Sequence, residues 1–445
     1  MSTDDDDAIL PSLNHLPDDL SECILTNLAR CPRTLGRVRQ TNKELFRHGQ
    51  AWHEHQRYVL RMLQHAGLHA EPGEDVVFPS GVVDLWWNAK YLTMHCDARG
   101  DCLDVFCSKS EAGGFSRVEF VTLDCTHLLS YDVDLLTTVM EKGWMSSVRS
   151  FELRMEDDFN SMHAPVVLSE LMRAVHHMPL ECLLVGSFRC NLKSAGEAVH
   201  RLPGLKTLDV SHGVLDHVHD LVVALPETCT VDHVYAAGLR VDILEPHRLT
   251  EFVRTVAERM PHLKTLDLSD CGLRDAPFRT FLRLCETHFR ELETLRLNEG
   301  TAGRSMMDAM GNGALPRLQQ LDLYGFDLYD DGLMAIADAA KVGVLRNLTS
   351  LDVSETSITQ TGFDYFVRAL EMGTWASVAV SPPPLACLEH LNVCESNLDV
   401  TPLVECLART PSMLLSLAHL SSLPGTVCRH AATRLAEQRP GIWVG

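Results

Sequence analysis

One short sentence recurs in this chain. LKTLDVSHGVL at 205–215, LKTLDLSDCGL at 263–273, LETLRLNEG at 292–300, LQQLDLYGFDL at 318–328, LTSLDVSETSI at 348–358 and LEHLNVCESNL at 388–398 share one template. Its first, fourth, sixth, ninth and eleventh positions are mostly apolar or small. Weaker copies start at Val118, Val148, Leu180 and Val231, and a frayed last copy starts at Ser412. Starts fall mostly 24 to 32 residues apart, with one 40-residue step from 348 to 388. That excess coincides with TWASVAVSPPPLA, whose prolines mark a surface loop. A fixed period of this length is the signature of a repeat architecture, and it outranks any local reading of the chain.

The period dictates the unit. Within L-x-L, alternation points both leucines to one side, as in a strand. Segments such as 331–343 and 361–373 follow with apolar residues at helical spacing: Phe363, Phe366, Val367 and Leu370 share a face. One strand–turn–helix unit cannot bury its leucine face alone, so the units are stable only when stacked. The expectation is an α/β solenoid, a horseshoe of about 10–11 strand–helix repeats with strands on the concave side. The copies resemble leucine-rich repeats, of the longer ribonuclease-inhibitor-like or cysteine-containing kinds, over about residues 116–430. The copy at 148 departs from the pattern at Glu156 and Asp158, and that at 231 has Ala236 for a leucine. Both are expected to be distorted.

Composition narrows the partners. The formal net charge is −21, which opposes binding to nucleic acid or an anionic membrane. No apolar run reaches the ~18 residues of a membrane span, and the start MSTDDDD is unlike a secretory signal. A cytoplasmic or nuclear protein follows, with its 15 cysteines mostly reduced and buried. A protein is the expected partner.

Residues 13–58 read as a small helical unit. Pro17 suits a first helical position, with Asp18 and Asp19 where the helix dipole favours negative charge. Leu20, Cys23, Ile24, Asn27 and Leu28 lie on one face; Leu35, Val38, Asn42, Leu45 and Phe46 form a second. About 45 residues rarely support a core alone, so a partner or the following domain should cover the remaining apolar surface. The order Leu16-Pro17-Asp18-Asp19-Leu20, then Ile24, Leu25, Leu28, Val38, Lys43 and Trp52, resembles the F-box. Residues 29–36 lack the leucines usual there, and Gly36 and Arg37 stand where that family is often apolar. The resemblance implies docking to a Skp-type adaptor of a cullin-based ubiquitin ligase, through Leu16, Pro17, Leu20, Ile24, Leu25, Leu28, Val38 and Trp52. The competing reading is a helical cap that shields the first repeat of a scaffold or inhibitor. Around this unit lie an acidic tail (1–12), a connector and irregular first repeat (59–115) with the adjacent Trp86 and Trp87, the repeats (116–430) and a C-terminal cap (431–445).

Chemistry-bearing constellations are weak. His95, Cys96, Cys102 and Cys107 lack the tight spacing of structural zinc, and His65 and His69 have no third ligand nearby. No phosphate-binding loop, nucleophile elbow or zinc-protease motif occurs. The expectation is a non-enzyme without metal or cofactor.

The outward strand face is more informative. The middle residues of L-x-L read Thr122, Glu152, Leu184, Asp209, Tyr235, Asp267, Arg296, Asp322, Asp352, Asn392 and Ser416. Five are acidic and one is basic. A second line adds Ser211, Ser269, Asn298, Tyr324, Ser354 and Cys394. Arg296 should relieve both Asp267 and Asp322, whereas Asp322 beside Asp352 should repel. An acidic, hydroxyl-rich concave face suits a basic segment of a protein target, with Tyr235, Arg296 and Tyr324 as anchors. The plainer reading of any single Asp-Ser pair is a solvated repeat feature.

Overall fold

The computed structural model describes residues 91–95, 118–124, 130–154, 164–185, 192–226, 229–240, 246–273, 275–298, 300, 315–376, 384–394, 398–410, 413–414, 416–422, 427 and 429–444. The F-box-like pattern from Leu16 to Trp52, the 65/69 histidine pair and the side chains of the 95–107 cluster lie outside these residues. The chain forms two compact units, residues 1–181 and 182–445.

In the first unit, strands β1 (Tyr91–His95), β2 (Phe120–Asp124) and β3 (Ser150–Arg154) pair in parallel. Parallel neighbours need a crossover, and helix Ser130–Glu141 supplies the one from β2 to β3. Val121, Leu123, Phe151 and Leu153 point inward with Val133, Leu136, Val139 and Met140 of that helix, all fully buried. The weak copy at 148 is thus an in-register strand with Phe151 at the fourth position.

The second unit continues the pattern, with ten parallel strands among the described residues. Its strands are β4 (Cys182–Leu184), β5 (Thr207–Asp209), β6 (His233–Tyr235), β7 (Thr265–Asp267), β8 (Thr294–Arg296), β9 (Gln320–Asp322), β10 (Ser350–Asp352), β11 (His390–Asn392), β12 (His419–Ser421) and β13 (Trp443–Val444). They pair in parallel in sequence order, so each strand touches only its chain neighbours. Among the described helices are Pro246–Arg259, Asp275–Thr287, Tyr329–Lys341, Gln360–Ala376 and Thr401–Arg409. First- and fourth-position leucines such as Leu263, Leu266, Leu292, Leu295, Leu348 and Leu351 are buried, as are Phe252, Phe281, Phe363 and Phe366 from these helices. Each buried leucine contributes about 1.5–3 kcal/mol of transfer free energy, and the total accumulates along the stack.

Besides the copy at 148, further expectations change. The copy at 231 is not distorted in its strand: β6 pairs in register on both sides, and the carbonyl of the small Ala236 accepts the Cys271 thiol at 3.0 Å. The last copy does not start at Ser412. Leu417 and Leu420 hold its first and fourth positions, and Ser422, 5% exposed, replaces the sixth-position leucine. That polar residue in a core slot is what hid the true register. Ser416 therefore leaves the outward row and Ser421 takes its place opposite Asn392. Among the described cysteines only Cys271, Cys285 and Cys406 are buried; Cys387 is exposed.

The turn after each strand is built by one rule. The eighth residue is left-handed in every described copy where it can be read: His212, Gly238, Asp270, Gly325 and Glu355 have φ between 52° and 63°. Its N–H donates to the seventh-position carbonyl of the next unit, as in His212 to Ala237 (2.7 Å), Gly238 to Ser269 (2.7 Å) and Gly325 to Ser354 (3.0 Å). These bonds extend the parallel ladder past the strand ends and fix where the outward residues stand.

Candidate functional site

Alternation along each strand turns the third and fifth positions away from the leucines. Strand register then aligns the fifth positions into one line across the second unit: Leu184, Asp209, Tyr235, Asp267, Arg296, Asp322, Asp352, Asn392 and Ser421. Glu152 belongs to the first unit, where it accepts from Thr122 Oγ1 (2.8 Å) and pairs with Arg154 (2.6 Å).

The aspartates have a structural task. Oδ1 of Asp209, Asp267, Asp322 and Asp352 accepts the N–H two residues on, from Ser211 (2.9 Å), Ser269 (3.0 Å), Tyr324 (3.1 Å) and Ser354 (2.9 Å). Asn392 does the same for Cys394 at 3.1 Å. A short side-chain acceptor here ends the strand by an Asx turn, which explains the recurrence of Asp and Asn. One carboxylate oxygen of each is spent on the fold, and the second is what a partner meets.

Those second oxygens differ. Asp267 is only 7% exposed, and its Oδ2 lies 3.6 Å from Arg296 Nη1, so it offers little surface. Asp352 Oδ2 accepts from Asn392 Nδ2 at 2.8 Å, while its Oδ1 also takes the Ser354 hydroxyl. Asp322 has no cation within ion-pair distance among the described residues. Burial first, and then the charge of Asp352, hold its carboxyl above the usual carboxylate range, against the opposing hydrogen bond from the Tyr324 N–H and the weaker pull of Arg296. Arg296 therefore answers Asp267 fully and Asp322 only in part.

Tyr235 is half-buried on the row, whereas Tyr324 is exposed and its hydroxyl donates to Glu355 Oε1. Ser269 Oγ and Asn298 Oδ1 are buried without a hydrogen-bond partner among the described residues. No group of three potential metal ligands occurs among those residues either. No helix among them is long and apolar enough to cross a membrane.

Sequence reasoning missed the third-position row. Register places His390 beside His419 and His419 beside Trp443. The imidazoles stack with centroids 4.8 Å apart and planes 8° from parallel; Trp443 follows at 6.1 Å, tilted by 53°. The signal was present at 390, two residues after Leu388. It was hidden at 419 and 443 because the copies carrying them were misplaced or unread.

Residues 259–276, around the copy at Leu263, match the family model for the Leucine Rich repeat. The match and the strand–helix geometry agree on a leucine-rich-repeat array. No curated protein matches the chain. Among solved structures, an internalin (inlF) from Listeria monocytogenes str. 4b F2365 is 13% identical, over 63% of this chain and 69% of that one, with a TM-score of 0.32. A Bacteroides fragilis protein is 15% identical, over 70% and 75%, with a TM-score of 0.36. Neither likeness bears on function.

Proposed function

We propose that the array is a protein-binding scaffold whose outward strand face holds a target, and that the chain serves as the substrate-recognition subunit of a Skp–cullin–F-box type ubiquitin ligase. The observation that carries the first half is the in-register polar row, with the half-exposed Asp322 and Asp352 side by side. Fixed carboxylates that already repel each other gain most from a cationic partner, so a basic segment fits this face. The second half is supported by the Leu16-Pro17-Asp18-Asp19-Leu20 pattern and the apolar positions up to Trp52. In this reading the chain catalyses nothing: it positions a target for an enzyme bound elsewhere on the ligase.

The test separates the two halves in one experiment. The full chain is purified from eukaryotic cells as wild type, as Asp322→Asn/Asp352→Asn and as Leu20→Ala/Ile24→Ala. The first variant is expected to keep a Skp-type adaptor and lose a co-purifying target; the second is expected to lose the adaptor and keep the target. Identical partner sets from all three proteins would overturn the proposal.

A further inference from the structure

We propose that His390, His419 and Trp443 form an aromatic platform on which an arginine side chain of the bound segment stacks. The inference rests on the reading of the strand face as a protein-binding surface and specifies its anchoring end.

All three rings stand at the third position of consecutive strands, on the side opposite the buried Leu391, Leu420 and their neighbours. His390 and His419 are exposed, and Trp443 is 57% exposed. Stacking at 4.8 Å and 8° turns the two imidazole faces toward each other, so the group offers the ring edges and the exposed Trp443 to solvent. A tryptophan held at that tilt, largely in water, presents a broad ring whose electron-rich face attracts cations. Metal binding does not explain the arrangement, because near-parallel stacked rings do not converge on a point and no third potential ligand joins them among the described residues.

Charge selects the occupant. The platform continues sideways into Ser350 and Gln320, and the adjoining row carries Asn392, Asp352 and Asp322. Strands spaced about 4.8 Å apart put Trp443 about 15 Å from Asp352, a span of about five extended residues. A basic segment crossing β9 to β13 meets carboxylates at one end and the rings at the other. Of the two basic side chains, arginine fits the rings better: its guanidinium is planar, weakly hydrated and stacks on aromatic faces, whereas the lysine ammonium is a strongly hydrated point charge.

The probes are an oligoarginine and an oligolysine peptide of equal length, titrated onto the full chain by fluorescence anisotropy at physiological ionic strength. Wild type is expected to bind oligoarginine about two- to fivefold more tightly than oligolysine, the range of an exposed cation–π contact. Trp443→Ala should erase that preference, and Trp443→Phe should retain most of it. Asp322→Asn/Asp352→Asn should weaken both peptides and keep the preference. Circular dichroism controls for folding; truncating so exposed a ring should leave it intact. A Trp443→Ala protein that keeps the full arginine preference, or loses both peptides equally, overturns the platform, while weakened binding in the aspartate variant would leave the face reading standing. If the aspartate variant and wild type bind both peptides alike, the face reading fails and the platform with it.

Discussion

Asp352 allows the structural and the recognition roles of the outward row to be separated. It accepts three hydrogen bonds: from Ser354 N–H at 2.9 Å, from the Ser354 hydroxyl, and from Asn392 Nδ2 at 2.8 Å. At a half-buried site each is worth about 1 kcal/mol net. Asp352→Ala removes all three and leaves the Ser354 amide and the Asn392 side chain to find other partners. The expected loss is about 2–3 kcal/mol, since relief of the repulsion with Asp322 returns part of the cost. Asp352→Asn keeps an oxygen where Oδ1 stood, so the Asx turn survives; the bond from Asn392 is lost, the same repulsion is relieved, and the net cost is about 0–1 kcal/mol. For a unit of this size the alanine variant should melt about 5–10 °C below wild type and the asparagine variant no more than about 4 °C below it. Thermal unfolding followed by circular dichroism reads both. Equal melting temperatures for the two variants would refute the reasoning, because the negative charge and not the turn-closing oxygen would then be what the position supplies.

Three further outcomes follow from other parts of the unit. Leu321→Ala, at a fully buried fourth position, should cost about 3 kcal/mol, and hydrogen exchange should rise in β8 and β10 as well as β9, because each unit is held by its neighbours; a rise confined to β9 would contradict the coupling. Gly238→Ala should destabilise by about 1–3 kcal/mol in denaturant unfolding, since its φ is +63° and an added Cβ would lie 2.5 Å from His212 Nδ1; an unchanged midpoint would contradict it. Asp322→Asn should stabilise the array at neutral pH. The folded carboxyl binds its proton more tightly than the unfolded one, so wild-type stability falls as pH rises from the ordinary carboxylate range through the raised folded value. The gain in the variant should therefore shrink as pH drops through that window, and a gain independent of pH would rule out this cause.

The leucine frame was legible because it is a physical necessity repeated many times. A strand buried on one side demands apolar first, fourth and sixth positions, and six copies meet that demand without exception at the first and fourth. Alternation then gave the fifth-position row, and pairing in register makes it one line. Legibility failed where one core slot held the wrong kind of residue. Ser422 in place of a leucine shifted the start of the last copy from 417 to 412, and with it the reading of Ser416 for Ser421. The role of the aspartates was half legible. Composition showed an acidic row, but an Asx turn depends on which N–H lies within reach, and that is set by the backbone leaving the strand, whose left-handed eighth residue the sequence does not mark. Because His, Gly, Asp and Glu all occupy that position, no single residue type announces it.

In the proposed function, residues 13–58 dock a Skp-type adaptor while the array holds a target. Calorimetric titration of purified adaptor onto the full chain tests it most directly, with Leu20→Ala/Ile24→Ala as control and circular dichroism to show that the array remains folded. Wild type is expected to bind saturably and stoichiometrically, and the control not at all. No binding by wild type, or equal binding by both, would contradict it.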